Sequence, residues 1–115
     1  MSEGVREAIL SGDGERFKAA LAPDVIWVGV LPGMLCRNRE QVVGTLDRAG
    51  LRARRFAPEI LAEADGKIVV DPHADPPTDF YPALHQVLVV SEDRIVEMRD
   101  YPDRATALAA LETPW

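Results

Sequence analysis

The chain has 115 residues, 13 basic against 19 acidic side chains for a net charge of −6, 47% hydrophobic residues and one cysteine. One domain spanning residues 1–115 is expected, because two stable cores do not fit in a length of roughly 100–200 residues. The acidic balance argues against a nucleic-acid backbone or an anionic membrane as partner, since both reward clustered Lys and Arg, and Cys36 alone forms no internal disulfide, so a cytoplasmic, reducing setting suffices.

The first ten residues hold no basic stretch leading into a continuous apolar run, so they are read as folded chain rather than as an export signal. Val5 with Ile9, and Phe17 with Leu21, are i, i+4 apolar pairs on either side of Ser11-Gly12-Asp13-Gly14. That pattern predicts two short helices joined by a turn, with Asp13 as N-cap of the second. Pro23 and Asp24 end that helix, and Val25 to Val30 is β-branched and aromatic enough for a mostly buried strand. The uncharged run from Val25 to Cys36 is broken by Gly29, Pro32 and Gly33 and falls short of the ~20 apolar residues of a membrane span.

Leu31 to Arg37 is expected as loop. Asn38 stands three residues before Gln41, a variant of the capping box, and opens a helix with Val42 and Leu46 inward and Gly50 at its end. Arg52, Arg54 and Arg55 read as a solvated face. Residues 58–66 are ambiguous: Pro58 and Gly66 mark helix ends, whereas alternation of Phe56, Pro58, Ile60 and Ala62 favours a strand. Lys67 to Asp71 is a strand after the Asp65-Gly66 turn, and the four prolines of residues 72–82 make a loop or an edge excursion. Ala83 to Val90 and Arg94 to Tyr101 form a hairpin around Ser91-Glu92-Asp93. Pairing Val90 with Ile95 sets Val89 opposite Val96, Val87 opposite Met98 and His85 opposite Asp100, all on one face. Asp103 caps a closing helix through Leu111.

Two helices, a strand, a helix and a run of antiparallel strands make an α+β layout in which a sheet wraps around helices. On SGDGERFKAALAPDVIWVG, CRNREQVVGTL and HQVLVVSEDRIVEMRDYPDRATALAAL, the sequence resembles the SnoaL-like branch of the nuclear transport factor 2-like superfamily. Polyketide cyclases, ketosteroid isomerase and limonene epoxide hydrolase are its relatives. The resemblance implies a cystatin-like cone, a curved antiparallel sheet wrapped around N-terminal helices. It also implies a homodimer, and makes residues 53–64 a long strand. It leaves function open, because the superfamily hosts enzymes, binding proteins and dimerisation modules.

By the same resemblance, an aspartate on the last strand, in a context like MRDYPD, is the base of the cyclases and of limonene epoxide hydrolase. The matching residue is Asp100, which the register above sets beside His85 on an apolar face with Val87 and Met98. An apolar wall raises a carboxyl's pKa and makes it a better proton acceptor near neutrality, and His85 would orient it or act as the acid. Trp27, Phe17, Leu21, Leu31 and Met34 are candidate linings for a pocket that takes an apolar small molecule.

Asp71 aligns approximately with one acid of the epoxide hydrolases' Asp-Arg-Asp triad, but no arginine stands near Val69. Phe17 likewise offers no hydroxyl where ketosteroid isomerase places a tyrosine for its oxyanion hole. Asp71, His73 and Asp75 alternate in a Pro-rich loop without a metal-binding spacing, so no metal is assigned. Cys36 has no histidine nearby in sequence, and no phosphate loop, dinucleotide fingerprint or GxSxG occurs, so no cofactor is expected. The expected function is binding of an apolar organic molecule, with a cofactor-free proton transfer by Asp100, or binding or dimerisation without catalysis.

Overall fold

The structure is a computed structural model that describes residues 3–30, 33, 35–48, 55–56, 58–71, 74–75 and 85–112. In chain order the elements are α1 (Glu3–Leu10), α2 (Gly14–Ala19), β1 (Leu21–Val28), β2 (Leu35–Cys36), α3 (Arg39–Arg48), β3 (Arg55–Phe56), β4 (Glu59–Ala64), β5 (Lys67–Asp71), β6 (Ala74–Asp75), β7 (His85–Ser91), β8 (Arg94–Tyr101) and α4 (Arg104–Ala109). Three helices start where short polar side chains satisfy their first free N–H groups. Asp13 accepts from Glu15 N at 2.9 Å, Asn38 from Gln41 N at 2.9 Å and Asp103 from Thr106 N at 2.7 Å.

Among the described residues, six strands form a curved, unclosed sheet in the order β2-β1-β8-β7-β5-β4, and β3 pairs with β6 separately. Every pairing is antiparallel except β1 with β8, which is parallel and makes the sheet mixed. Leu21 leaves the helix expected for it and opens β1 opposite Ile95, because α2 already ends at the Ala20 cap. Pro23 and Asp24 are exposed where β1 bulges away from β8 between Leu21 and Ile26, a place where a missing N–H costs no ladder bond. The ambiguous segment is strand, but not the one long strand expected over residues 53–64: β3 pairs with β6 in the separate sheet while β4 pairs with β5, and Gly66 belongs to a two-residue turn in which Asp65 and Gly66 have φ of 51° and 79°.

The sheet separates two apolar clusters. On its inner face Val5 and Ile9 of α1, Val42 of α3, Leu21 and Val25 of β1, Ile68 and Val70 of β5, Leu88 of β7, and Ile95 and Met98 of β8 form the main core. On the outer face Val69 and Val87 pack against Ala107 and Ala110 at α4, flanked by Leu61, Tyr101, Leu108 and Leu111. Lys18 ties α2 to α3 through Asp47 at 2.7 Å, and Arg6 of α1 ion-pairs with Glu63 of β4. No described helix is long and apolar enough to cross a membrane.

Candidate functional site

The site is set by one extra residue in β8. Near the turn the expected register holds, with Val90 opposite Ile95 and Ser91 opposite Arg94. The pairing then slips, so that Val89 faces Glu97, Leu88 faces Met98, Gln86 faces Asp100 and His85 faces Tyr101. Val96 is the unpaired residue of a β-bulge, and everything beyond it changes face relative to a regular hairpin. Asp100 and Met98 therefore point inward. His85, Val87 and Val89 point outward, against the expectation that put them on Asp100's face.

On the inner face, Ile60, Val70, Gln86 and Asp100 line up across β4, β5, β7 and β8. The adjacent row runs through Ile68, Leu88, Met98, Trp27 and Cys36. Asp100 is thus a carboxylate at the margin of an apolar sheet face, and it is only 7% exposed. Its Oδ1 accepts from Trp27 Nε1 at 2.8 Å and from Gln86 Nε2 at 2.9 Å. Its Oδ2 is buried and, among the described residues, has no hydrogen-bond partner. Burial pushes the Asp100 carboxyl up to about 6, opposed by the Trp27 and Gln86 hydrogen bonds. A carboxylate with one oxygen held and the other unsatisfied, titrating near neutrality, can take up or return a proton at a fixed atom.

The other expected site residues divide between the two faces. Trp27 bonds Asp100 directly, Met98 is fully buried one row away, and Phe17 packs half-buried on the inner core. Val87 is fully buried on the other face, under α4. His85 and Asp71 are there too, with His85 Nε2 3.4 Å from Asp71 Oδ2. Asp103, at the start of α4, is close enough to feel His85; its carboxyl is held below the usual range chiefly by hydrogen bonds from Thr106. The structure therefore does not bring His85 or Asp71 to Asp100. Leu31, Met34, Gly50, Arg52, Arg54 and His73, and the side chains of Arg55 and Asp75, lie outside the described residues. Among the described residues, no three His, Cys, Asp or Glu converge as metal ligands would. Cys36 Sγ lies 3.5 Å from Thr45 Oγ1.

A regular register puts His85, not Gln86, opposite Asp100, so alternation alone does not reveal Gln86. The spacing of Ile95 and Met98, both inward but three apart, was the available signal that β8 breaks alternation. Elsewhere, an open depression of about 670 Å³ lies between α1, α2 and the β7–β8 turn, lined by Val5, Ala8, Arg16, Ala19, Asp93 and Arg94 among others. It adjoins the end of β8 opposite Asp100 and shares no residue with the carboxylate's surroundings.

The curved mixed sheet and the N-terminal helices packed on its inner face make an α+β cone, the fold of nuclear transport factor 2-like structures. Solved structures carry the same fold. A nuclear transport factor 2-like protein of unknown function from Burkholderia pseudomallei aligns over 99% of this chain and 100% of its own, at 22% identity and a TM-score of 0.60. A protein with a ketosteroid isomerase-like fold from Catenulispora acidiphila, in complex with trimethylamine, aligns over 96% and 91%, at 18% identity and a TM-score of 0.59. A Mesorhizobium loti protein provisionally named a SnoaL-like polyketide cyclase aligns over 84% and 92%, at 12% identity and a TM-score of 0.63. At these identities the likeness establishes the fold the sequence resemblance implied. No protein-family model and no curated protein matches the sequence.

Proposed function

We propose that this chain binds a small organic molecule against the inner face of its sheet and that Asp100 accepts a proton from it. The observation that carries this reading is the buried Oδ2 without a partner among the described residues, on a carboxylate whose other oxygen is fixed by Trp27 and Gln86. Buried polar atoms are nearly always satisfied, so an orphan of this kind points to a missing group. Small-molecule complexes of the fold, such as that with trimethylamine, support the binding half of the reading. In the step itself, Oδ2 takes a proton from an acidic C–H, the C–H electron pair passes into the neighbouring carbonyl as an enolate, and the resulting carboxyl returns the proton to another atom.

Deuterium exchange followed by NMR tests it, using a panel of cyclic enones and 1,3-diketones in D2O. At least one should exchange faster with protein than in buffer, and Asp100→Asn should slow that exchange by about 10²–10⁴-fold. No accelerated member, or an undiminished rate in the variant, would end the catalytic reading. The proposal extends to assembly: a homodimer through the part of the outer face that α4 leaves open, supported by Ile26 and Leu35, which are 39% and 42% exposed there.

A further inference from the structure

Among the described residues, Asp100 lacks more than a hydrogen bond: it also has no counter-ion, since only burial and the two hydrogen bonds act on its carboxyl. Trp27 and Gln86 are neutral donors, which spread the carboxylate's charge without cancelling it. Several basic side chains of the described residues are engaged elsewhere. Lys18 holds Asp47 and Glu15, Arg6 holds Glu63, Arg99 holds Glu97 on the outer face, Arg94 donates to the Ala19 carbonyl, and His85 sits by Asp71. A buried anion without a cation is the costly half of an ion pair, and it rewards whatever supplies the other half. The net charge of −6 acts in the same sense on any approaching ion. Trp27, hydrogen-bonded to the carboxylate, adds an aromatic ring, a surface that also attracts cations.

We infer that the small molecule received at Asp100 is a protonated amine, whose N–H donates to Oδ2 and whose positive charge neutralises the carboxylate. This rests on reading the inner face at Asp100 as a binding site, and not on whether a proton is afterwards moved. A neutral alcohol would satisfy the hydrogen bond and leave the charge; a carboxylate ligand would double it.

Calorimetric titration at pH 7.5 with benzylamine, which is then a cation, and with its near-isostere benzyl alcohol separates these cases. Wild-type protein should bind benzylamine about tenfold or more tightly than benzyl alcohol, as charge-assisted hydrogen bonds exceed neutral ones. In Asp100→Asn, which keeps an oxygen for Trp27 and Gln86, the preference should shrink to less than about twofold by the same reasoning. Equal binding of the two probes by wild type overturns the inference while leaving the site intact, and so does a preference that persists in the variant. If neither probe binds, the inference and the binding site fall together. Should Asp100→Asn not fold, by circular dichroism, the wild-type comparison decides alone.

Discussion

The two oxygens of Asp100 are chemically alike and structurally unlike, and that difference has a thermodynamic signature. The folded chain raises this carboxyl from 3.8 to about 6, because burial disfavours its charge more than Trp27 and Gln86 favour it. Between those values the folded protein holds more protons than the unfolded one. The stabilisation from the neutral carboxyl is full below about pH 4 and is lost as pH rises through about 6, for a total of about 3 kcal/mol. Asp100→Asn removes the titration. Urea unfolding at pH 4.5 and 7.5 should show the variant gaining about 2 kcal/mol on wild type between the two conditions, by the same linkage. A constant difference would mean that the carboxylate is not desolvated. Trp27→Phe and Gln86→Leu each delete a donor to Oδ1, so in either variant NMR of the Asp100 carboxyl carbon should place its midpoint above the wild-type value. His85→Gln, a change on the opposite face of the sheet, should leave that midpoint unmoved.

At the scale of elements, short loops carry much of the specification. In the Asp65-Gly66 turn, Gly66 has φ of 79°, and a Cβ there would lie 3.2 Å from the Val90 carbonyl oxygen on the adjacent strand. Gly66→Ala should therefore cost about 1–2 kcal/mol in urea unfolding, with the m-value unchanged; a neutral result would show that the turn relaxes. That turn, the caps at Asp13, Asn38 and Asp103, and the strand Lys67–Asp71 were legible because each depends on residues a few positions apart. The segment at 58–66 was not legible from propensity, since Pro and Gly bracket a helix and a strand equally well; the family resemblance pointed to strand, and pairing with β5 is what makes it one. Nor was the partner of Asp100 legible. Alternation identifies both strands of the hairpin, but the unpaired Val96 shifts the pairing by one residue, which exchanges His85 for Gln86. The candidate acid was readable; the identity of what holds it depended on a bulge that no local propensity marks.

At the scale of the whole molecule, the described residues cover the sheet's outer face only in part. α4 seals Val69 and Val87 with Ala107 and Ala110, while Ile26, Val28 and Leu35 lie towards the β1–β2 edge, beyond the Glu97–Arg99 ion pair of β8. An antiparallel sheet tolerates water on one face when that face is polar, but this edge carries apolar side chains on neighbouring strands. A second copy applied about a two-fold axis would cover the same patch on both chains at once. Ile26 alternates away from Trp27, so replacing it alters the outer face without touching the carboxylate site. Ile26→Asp should leave circular dichroism and the Asp100 midpoint unchanged while raising the dimer dissociation constant about 30-fold or more, the scale of an interface anchor worth about 2 kcal/mol. Sedimentation velocity over a hundredfold range of concentration reads this directly. A wild-type chain that stays monomeric throughout would mean that the exposed edge has no self-association to support.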